Sequence, residues 1–325
     1  MNIRGLFLYR SLVKDSLLII AGLLLMGGAV FSRAYDFGIV SPPFVEEGQI
    51  LVVLKGDSAE DVADNLLQEG MIRSKPSFIL YLRLLDLENN LRSGIFAFSG
   101  EVSISQIIER LTTSSNVRKI TIQEGWDRED IANYFEEEGI FTKEEFIEAS
   151  EDLEGYLFPD TYSIFEDALP YEVARLMYDN FHEKTADLLE EIHGNGRTLD
   201  EIAIMASLIE KESYDSEDRK MISGILWKRI DNNYPLQVDA TVGYLTGKTS
   251  KQMSLEDLRI DSPYNTYVYK GLPVAPISNP SLNSIEAAIF PKESPHWFYL
   301  HDRNGNPHYA RTFEEHKRNK ARFLY

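Results

Sequence analysis

The sequence contains no cysteine, and this absence excludes several kinds of chemistry at once. Disulfides, thiolate zinc sites, cysteine nucleophiles and a lipid-modified N-terminal cysteine are all ruled out. Because exported proteins can also lack cysteine, the compartment must be inferred from other features. Positive charge is scarce as well: 33 Lys and Arg stand against 52 Asp and Glu, a formal net charge of −19. Such a surface repels phosphate, so the composition argues against nucleic acid as a partner.

Histidine is also rare, with six residues in the chain. Their spacing contains no HExxH pair or comparable ligand set, so we predict no metal and no cofactor. A metal-dependent enzyme is kept as a weaker alternative. The six residues are His182, His193, His296, His301, His308 and His316.

A charge-free hydrophobic run lies near the N-terminus, at residues 16–31, and basic residues precede it. As a helix it would be about 24 Å long, and its flanks extend it toward the ~30 Å of a bilayer core. The basic flank predicts a cytoplasmic tail and a single membrane-spanning helix within residues 1–34, with the rest of the chain outside. This predicts a single-pass protein of the cytoplasmic membrane. The alternative is a signal peptide cleaved near residues 32–34.

An internal repeat follows a predicted linker at residues 35–48. Residues 56–72 (GDSAEDVADNLLQEGMI) align without a gap with residues 125–141 (GWDREDIANYFEEEGIF). Each copy follows a short β-branched run, which predicts a strand, a glycine turn, a capped helix and a glycine at the helix end. Two such units predict a small α+β module at residues 49–152. Chance similarity between two amphipathic helices is the alternative.

Helical patterns dominate the remaining sequence. Residues 153–325 predict a second domain that is mainly helical and rich in loops around one site. The whole chain is therefore predicted to be an α+β protein. Predicted elements of the second domain are helices at 170–193, 198–213 and 216–232 and a strand at 297–300. Between the two repeats we predict a helix at 78–87, a strand at 94–98 and a helix that opens with the capping box Ser103–Gln106.

Glu212 has an unusual position on the predicted helix 198–213. With successive residues about 100° apart, Glu212 falls within about 10° of the centre of the apolar face, whereas Glu210 falls on an alanine-lined edge. Burial raises the pKa of a carboxyl group, and a carboxyl that keeps its proton near neutral pH is a candidate general acid. The alternative is that the helix ends there and the carboxylate faces solvent.

Three loop segments combine aromatic rings with Asn, Gln and Asp side chains. Sugars present apolar C–H faces and hydroxyl edges, which such residues suit, and loops carry function more often than packed elements do. Ordinary connecting loops remain the alternative. The segments are residues 154–162, 236–241 and 262–280.

Together these motifs resemble the YceG-like family of endolytic murein transglycosylases, and the resemblance covers nearly the whole chain. It implies that the module at 49–152 is LysM-like and that residues 153–325 form the catalytic domain. Three departures put the finer loop geometry in doubt: Ala240 where proline is usual, GLPVAPI in place of GLPPGPI, and Lys317 in place of asparagine. The matching segments are EGYLFPDTY (154–162), IMASLIEKES (204–213), LQVDATVGY (236–244), SPYNTYVYKGLP (262–273) and HYARTFEEH (308–316).

The resemblance implies an activity and a site. The second glutamate of the family's E-K-E-[ST] motif falls on Glu212. It would cleave the β-1,4 bond between N-acetylmuramic acid and N-acetylglucosamine without water, leaving 1,6-anhydro ends and terminating nascent glycan strands. Partners would be peptidoglycan strands, the membrane and peptidoglycan synthases (penicillin-binding proteins). Residues expected to line the substrate site are Gln237, Asp239, Tyr264 and Asn265.

Two other functions stay open from the sequence. The first is a hydrolytic muramidase in which Glu212 is the acid and Asp239 is the base. The second is a noncatalytic, membrane-tethered protein that binds the cell wall through the LysM-like module.

Overall fold

A computed structural model describes residues 44–113 and 116–324 of the chain. The predicted membrane helix at 16–31 and the first part of the predicted linker lie outside these residues. The last part of that linker is strand, because the first strand begins at Phe44. No helix within the described residues is long and apolar enough to cross a bilayer. The described residues form a mixed α+β structure that is mainly helical, as the sequence predicts.

The chain divides into two compact units, Met1–Ser115 and Asn116–Tyr325. In its described residues, 44–113, the first contains one antiparallel strand pair, β1 with β2, and three α-helices. Leu51 of β1 pairs with Phe96 of β2, and both side chains are buried. The elements are β1 (Phe44–Val53), α1 (Ala59–Gln68), α2 (Lys75–Leu84), β2 (Gly94–Glu101) and α3 (Ile104–Thr112).

The second unit carries two further antiparallel pairs, β3 with β4 and β5 with β6. Most of its remaining elements are helices, and this unit, with its loops, holds every residue singled out as a candidate for the site. The elements are β3 (Val117–Thr121), α4 (Arg128–Glu137), α5 (Lys143–Ala149), β4 (Thr161–Phe165), α6 (Pro170–Thr185), α7 (Leu189–Gly194), α8 (Leu199–Glu212), α9 (Ser216–Asp231), α10 (Asp239–Thr246), α11 (Leu282–Ile289), β5 (Phe298–His301), β6 (Pro307–Ala310) and α12 (Phe313–Phe323).

Strand β3 pairs with β4 across the predicted domain boundary at residues 152 and 153. Ile120 faces Tyr162 in this pair, and both are buried in one hydrophobic cluster with Phe135 and Phe146. Residues 116–152, which the sequence groups with the LysM-like module, therefore pack with residues beyond 153. The assignment of separate roles to the two predicted domains stays a prediction.

The two copies of the repeat have the same local structure. In the first, Ser58 caps α1 and Gly70 follows the helix with φ of +70°. In the second, Asp127 caps α4 and Gly139 follows it with φ of +64°. Both caps are reciprocal capping boxes, which satisfy backbone donors at the helix start. Only glycine adopts the left-handed conformation at the helix end without strain.

The helix predicted at 170–193 is two helices. Helix α6 ends at Thr185, a 3₁₀ turn occupies Ala186–Leu188, and α7 begins at Leu189. The hydroxyl of Thr185 donates to the carbonyl of Phe181 at 2.8 Å. Threonine that bonds back to its own helix in this way often bends the helix. The apolar period alone did not reveal the break.

Helix α8 is the centre of the main hydrophobic core. Ile202, Met205, Leu208 and Ile209 are at most 1% exposed. Helices α9 and α11 pack against α8. A helix buried on several sides has a fixed axis, so the residues at its end have fixed positions.

Candidate active site

Glu212 is the last residue of α8, and local chemistry sets both ends of this helix. Thr198 and Glu201 form a capping box at the start. Ser213 follows in an extended conformation, and its N–H donates to the carbonyl of Ile209. The Glu212 side chain is half-buried. It is therefore held at the end of a rigid helix and keeps partial access to solvent.

Glu210, two residues earlier, is more deeply buried than Glu212. Its Oε1 lies 2.7 Å from Nη2 of Arg219, and its Oε2 accepts hydrogen bonds from the backbone and the hydroxyl of Ser281 at 2.9 and 2.6 Å. The two glutamates differ in environment, but the order of burial is the reverse of the helical-wheel prediction, because Glu210 is buried and Glu212 only half-buried. Ionic pairing with Arg219 makes Glu210 a structural residue that joins α8 to α9 and α11.

Asp239 faces Glu212 from the first turn of α10. Thr266 positions this turn, because its Oγ1 accepts the N–H of Val238 at 3.0 Å. The hydroxyl of Tyr267 donates a hydrogen bond to Oδ1 of Asp239. The negative charge of Asp239 acts on Glu212 and raises the pKa of that carboxyl. Two carboxyl groups from separate helices therefore share one site.

Strand β5 contributes two further side chains to the site. Tyr299 and His301 are two residues apart, so their side chains lie on the same face of the strand. The Tyr299 hydroxyl donates a hydrogen bond to the Glu212 carboxylate, and His301 acts on Glu212 through its charge. Tyr299 also packs against the main core. Glu212 thus has a direct donor on one side and an acidic neighbour on another.

The pKa of the Glu212 carboxyl is raised to about 7 from its ordinary 4.5. Burial is the largest cause, since it disfavours the charged form, and Asp239 adds to it. The hydrogen bond from Tyr299 and the charges of His301 and Arg229 act in the opposite direction. Near neutral pH the group therefore exists both with and without its proton, which suits an acid that must later act as a base.

A buried aspartate holds His301 in place. Nε2 of His301 lies 2.6 Å from Oδ2 of Asp218, and the Tyr309 hydroxyl donates to Oδ1 of the same carboxylate. The hydrogen bond to Asp218 raises the pKa of His301. Strands β5 and β6 are thereby tied to α9 at the position where β5 meets Glu212.

Arg229 of α9 is buried and joins two segments of the site. Its Nε and Nη2 donate to the carbonyl of Trp297 at 3.0 and 2.7 Å, and its Nη1 donates to the carbonyl of Leu236. Trp297 precedes β5, and Leu236 precedes α10. One guanidinium therefore fixes the segments that carry Tyr299 and Asp239.

Among the four predicted lining residues, Asp239 is the one whose charge acts on Glu212 in the described part of the chain. Gln237 is exposed and has a left-handed backbone with φ of +51°. Asn265 is fully buried, and its Nδ2 donates to the carbonyls of Leu258 and Ile260 in its own loop. Contact of these two side chains with a substrate stays a prediction.

Tyr264, the fourth predicted residue, lies in a second group of polar side chains. Its ring centroid is 5.2 Å from that of Tyr244. Burial raises the pKa of the Tyr264 hydroxyl, and the charge of Glu154 raises it further. Glu154 accepts from the N–H of Arg128 at 3.0 Å and from Nδ2 of Asn279 at 3.3 Å. Burial raises the pKa of Glu154 to about 7. The chain therefore contains a second carboxyl that titrates near neutrality.

Sequence reasoning missed Tyr299, His301, Arg229 and Glu154. The alternation of the predicted strand at 297–300 would have placed Tyr299 and His301 on one face. Glu154 opens a segment that was selected for its aromatic and polar residues together, without attention to the glutamate itself. Nothing in the local sequence indicated the buried role of Arg229. The described residues contain no group of three or more His, Asp or Glu side chains that could hold a metal ion.

Comparisons with known proteins agree with this architecture. The sequence profile of the YceG-like family matches residues 51–322. A protein named endolytic murein transglycosylase from Bacillus subtilis (strain 168) is 28% identical over 299 aligned residues, which cover 83% of each chain. A protein of the same name from Streptococcus pneumoniae serotype 2 (strain D39 / NCTC 7466) is 27% identical, covering 92% of this chain and 63% of that protein. This chain therefore spans less than two thirds of the pneumococcal relative.

A solved structure is similar as well. The crystal structure of a yceG-like protein from Listeria monocytogenes superposes with a TM-score of 0.59 at 27% sequence identity. The superposition covers 83% of this chain and 98% of the other. Similarity to solved and curated proteins thus extends over most of the length of the chain.

Proposed function

The chain belongs to the YceG-like family, and from this premise we propose that it is an endolytic murein transglycosylase with Glu212 as its acid and base. The substrate is the glycan strand of peptidoglycan. The reaction breaks the β-1,4 bond between N-acetylmuramic acid and N-acetylglucosamine and leaves a 1,6-anhydro end. The observation that carries the proposal is the half-buried Glu212 carboxyl, with a pKa of about 7, beside Asp239 and Tyr299.

The mechanism requires one group that first gives and then takes a proton. Protonated Glu212 donates its proton to the glycosidic oxygen as the bond from C1 of the muramyl sugar breaks. The carboxylate formed then accepts the proton of the C6 hydroxyl of the same sugar, and the oxygen of that hydroxyl bonds to C1. No water is consumed, and Glu212 returns to its starting state. A pKa near 7 favours both steps at neutral pH.

The nucleophile is part of the substrate, which reduces what the protein must supply. An intramolecular hydroxyl has a large effective concentration, so no second carboxylate is needed to activate water. Asp239 then acts on Glu212 rather than on a nucleophile: its charge keeps the proton on Glu212. The negative field of Asp239 also favours the positive charge that develops at C1 of the muramyl sugar.

A hydrolytic muramidase is the second candidate, and the position of Asp239 is the observation that favours it. In glycosidases that invert the anomeric centre, one carboxyl group acts as the acid and a second, facing it across the site, activates water as the base. The two reactions differ in one product. Hydrolysis leaves a reducing muramyl end, whereas the transglycosylase leaves an anhydro end that is lighter by one water.

Mass spectrometry of the products decides between these reactions. Purified full-length enzyme would be incubated with uncrosslinked glycan strands, and the new ends would be analysed. Anhydro ends that depend on Glu212 are expected. Reducing ends would overturn the transglycosylase proposal in favour of the muramidase. Glycan release that is equal for the enzyme and its Glu212→Gln variant would overturn both, and it would favour a noncatalytic wall-binding protein.

The cellular setting is part of the proposal. The charge-free run at 16–31 behind basic residues supports a single membrane anchor with the catalytic domain outside the cytoplasm. Such a tether would hold the enzyme where new strands emerge, in reach of peptidoglycan synthases. Protease protection of right-side-out vesicles tests this orientation: digestion of the catalytic domain from the outside is the expected result, and protection would contradict it.

A further inference from the structure

Asp218 is a buried carboxylate that connects three segments around the candidate acid. It lies in the first turn of α9, and its side chain is 3% exposed. Ser213, the residue after Glu212, and Tyr309 of β6 donate their hydroxyl groups to it. Nε2 of His301 in β5 lies 2.6 Å from its Oδ2. One carboxylate therefore ties the end of α8 to both strands of the β5–β6 hairpin.

The Asp218 carboxyl stays ionised despite its burial. Burial raises its pKa, but the hydrogen bonds from His301, Ser213 and Tyr309 together outweigh this effect and lower the pKa below its usual range. The N-terminal end of α9 also favours a negative charge at this position. An ionised carboxylate only accepts hydrogen bonds, so Nε2 of His301 carries a hydrogen whenever Asp218 is charged. The proton that His301 gains or loses is therefore the one on Nδ1.

His301 lies on the face of β5 that contacts Glu212. Tyr299, which donates to the Glu212 carboxylate, is on the same face, and its ring centroid is 6.4 Å from that of His301. The imidazolium of His301 favours the carboxylate form of Glu212, and this carboxylate favours the imidazolium. Salt screens such opposite charges less in a partly buried site than on an open surface. The protonation state of each group therefore influences that of the other.

Other ionisable groups act on Glu212 or His301 from the elements packed around them. Arg229 keeps its guanidinium charge throughout, and burial raises the pKa of Tyr299 and of Tyr267, so that both stay uncharged near neutrality. An imidazole ordinarily changes its charge between pH 5 and 8. Of the two cations that act on Glu212 within residues 44–113 and 116–324, His301 is therefore the one that responds to pH. The ionisable groups around the two residues are Asp218, Arg229, Asp239, Tyr267, Tyr299 and Asp302.

We propose that Asp218 and His301 form a positioning pair: Asp218 holds His301 as an imidazolium beside Glu212, and this cation stabilises the carboxylate that Glu212 becomes when it gives its proton to the glycosidic oxygen. The inference rests on the proposed function, because it assigns the pair a role in that reaction. Neither residue needs to touch the substrate, since both act through Glu212. The pair makes Glu212 a stronger acid while His301 is charged and a weaker acid once the Nδ1 proton is lost.

The pH profile of cleavage tests the pair, because a purely structural role would not move it. His301→Gln keeps a hydrogen-bond donor for Asp218 but has no charge. The alkaline limb of its kcat/KM profile is expected about 0.5–1 pH unit above that of the parent, with cleavage on the acidic plateau about threefold slower because the acid is weaker. His301→Lys restores a cation and should return the limb to the parent's position or below it. A limb of His301→Gln that stays in place or moves to lower pH would overturn the proposal.

The sign of the shift in Asp218→Asn separates action through His301 from direct action on Glu212. The Asp218 carboxylate is negative, so its direct effect would be to raise the pKa of Glu212, and its loss would move the limb to lower pH. If it acts through His301, its loss lets the imidazolium give up its proton at lower pH, and the limb moves to higher pH. In the His301→Gln background, Asp218→Asn should cause no further upward shift. A downward shift of the single variant would refute the pair.

Titration of the histidines tests the coupling without any cleavage. The chain has six histidines, so the imidazole signals of the full-length protein in detergent micelles can be followed by NMR and that of His301 assigned from its loss in His301→Gln. Coupling between two proton-binding sites is reciprocal. Glu212→Gln is therefore expected to lower the pKa of His301 by about as much as His301→Gln raises the limb. An equal pKa of His301 in the parent and in Glu212→Gln would overturn the proposal.

His308 provides the matched control. It lies on β6 and has an aspartate partner of its own, with Nε2 3.2 Å from Oδ2 of Asp302. It pairs with Leu300, so its side chain is on the other face of the hairpin from those of Tyr299 and His301. His308→Gln is expected to leave the limb and the pKa of His301 unchanged, whatever it does to the stability of the hairpin. A limb shift equal to that of His301→Gln would assign the effect to the hairpin and refute the pair.

Failure of the pair and failure of the proposed function are distinguishable. Anhydro products from an enzyme whose limb does not respond to His301→Gln would refute the pair alone. A pKa of His301 that depends on Glu212, in a protein that cleaves no glycan, would refute the function alone.

Discussion

Nη2 of Arg219 lies 2.7 Å from Oε1 of Glu210 in an ion pair whose two side chains are at most 4% exposed. Glu212, one half-turn further along α8, has no cation at this distance among the described residues and keeps partial access to solvent. Two glutamates on the same helix thus differ in environment: Glu210 is buried and paired with a cation, whereas Glu212, the proposed acid, is half-buried and has no such pair.

The two glutamates should respond differently to loss of charge. Glu212→Gln is expected to lower glycan cleavage by at least about a hundredfold, because the amide cannot donate a proton as an acid does. Glu210→Gln leaves Arg219 buried without its partner and is expected to cost about 3–5 kcal/mol of unfolding free energy. Release of soluble glycan and thermal unfolding of both variants measure this contrast. Full activity in Glu212→Gln would contradict the assignment.

The pH dependence of cleavage follows from the raised pKa of Glu212. The acid must enter the reaction protonated, so kcat/KM is expected to fall as pH rises through about 7. Asp239→Asn removes a charge that raises the pKa and should move this limb to lower pH. Tyr299→Phe removes a hydrogen bond that lowers the pKa and should move the limb to higher pH. Shifts of these two variants in the same direction would be inconsistent with the site described above.

Asp239→Asn also separates the two proposed reactions. If Asp239 only influences Glu212, the variant should keep cleavage on the acidic side of its shifted limb, where Glu212 is protonated. If Asp239 activates water, cleavage should fall at every pH, because an amide is no base. Progress curves at pH 6 and pH 8 on the same glycan provide the measurement.

The raised pKa of Glu212 should also make the fold less stable at high pH. A group whose folded pKa is raised from 4.5 to about 7 adds stability that is complete below pH 4.5 and is lost as pH rises through 7. The free energy of unfolding of Glu212→Gln should therefore exceed that of the parent at pH 8 by at most about 3 kcal/mol, and the two should differ little at pH 5. Denaturant titrations at both pH values measure this difference. Glu190→Gln on the exposed face of α7 is the control, and it should show no such pH-dependent gain.

Close packing between α9 and the segment before β5 gives a steric prediction. A Cβ at Gly224 would lie 2.0 Å from the carbonyl oxygen of Lys292, so the backbone must shift. We expect Gly224→Ala to cost about 1–3 kcal/mol, as overpacked sites do, and to lower cleavage because β5 follows this segment. Gly194→Ala meets nothing within 4 Å and serves as its control. Equal unfolding midpoints for the two variants would refute this contact as a constraint.

Local signals predicted most of the elements because their causes are local. The predicted capping box at Ser103 forms, and so do the predicted capped helices of the repeat, whose caps are Ser58 and Asp127. The helix predicted at 198–213 begins after a cap at Thr198. Each cap is satisfied by a residue three positions later, so its energy depends little on the rest of the fold. The break after Thr185 was missed because the apolar period continues through it.

Contacts between distant segments could not be read from the sequence. The helical wheel placed Glu210 on an edge lined by alanine, yet small side chains let α9 and α11 approach closely there, and Glu210 became the more buried glutamate. The hydrogen bond from Tyr299 to Glu212 joins a strand and a helix that no local rule relates. Resemblance to a family selected Glu212 as the candidate acid, but only the fold revealed which groups act on its pKa.

Strand β5 is made by the ribosome well after α8, and this order has a consequence for quality control. A polypeptide released early would carry Glu212 but lack Tyr299 and His301, together with the hairpin that ties them to α9. Its acid would be left without the contacts that orient it. Premature termination before β5 should therefore yield fragments in which no group from β5 acts on the pKa of Glu212.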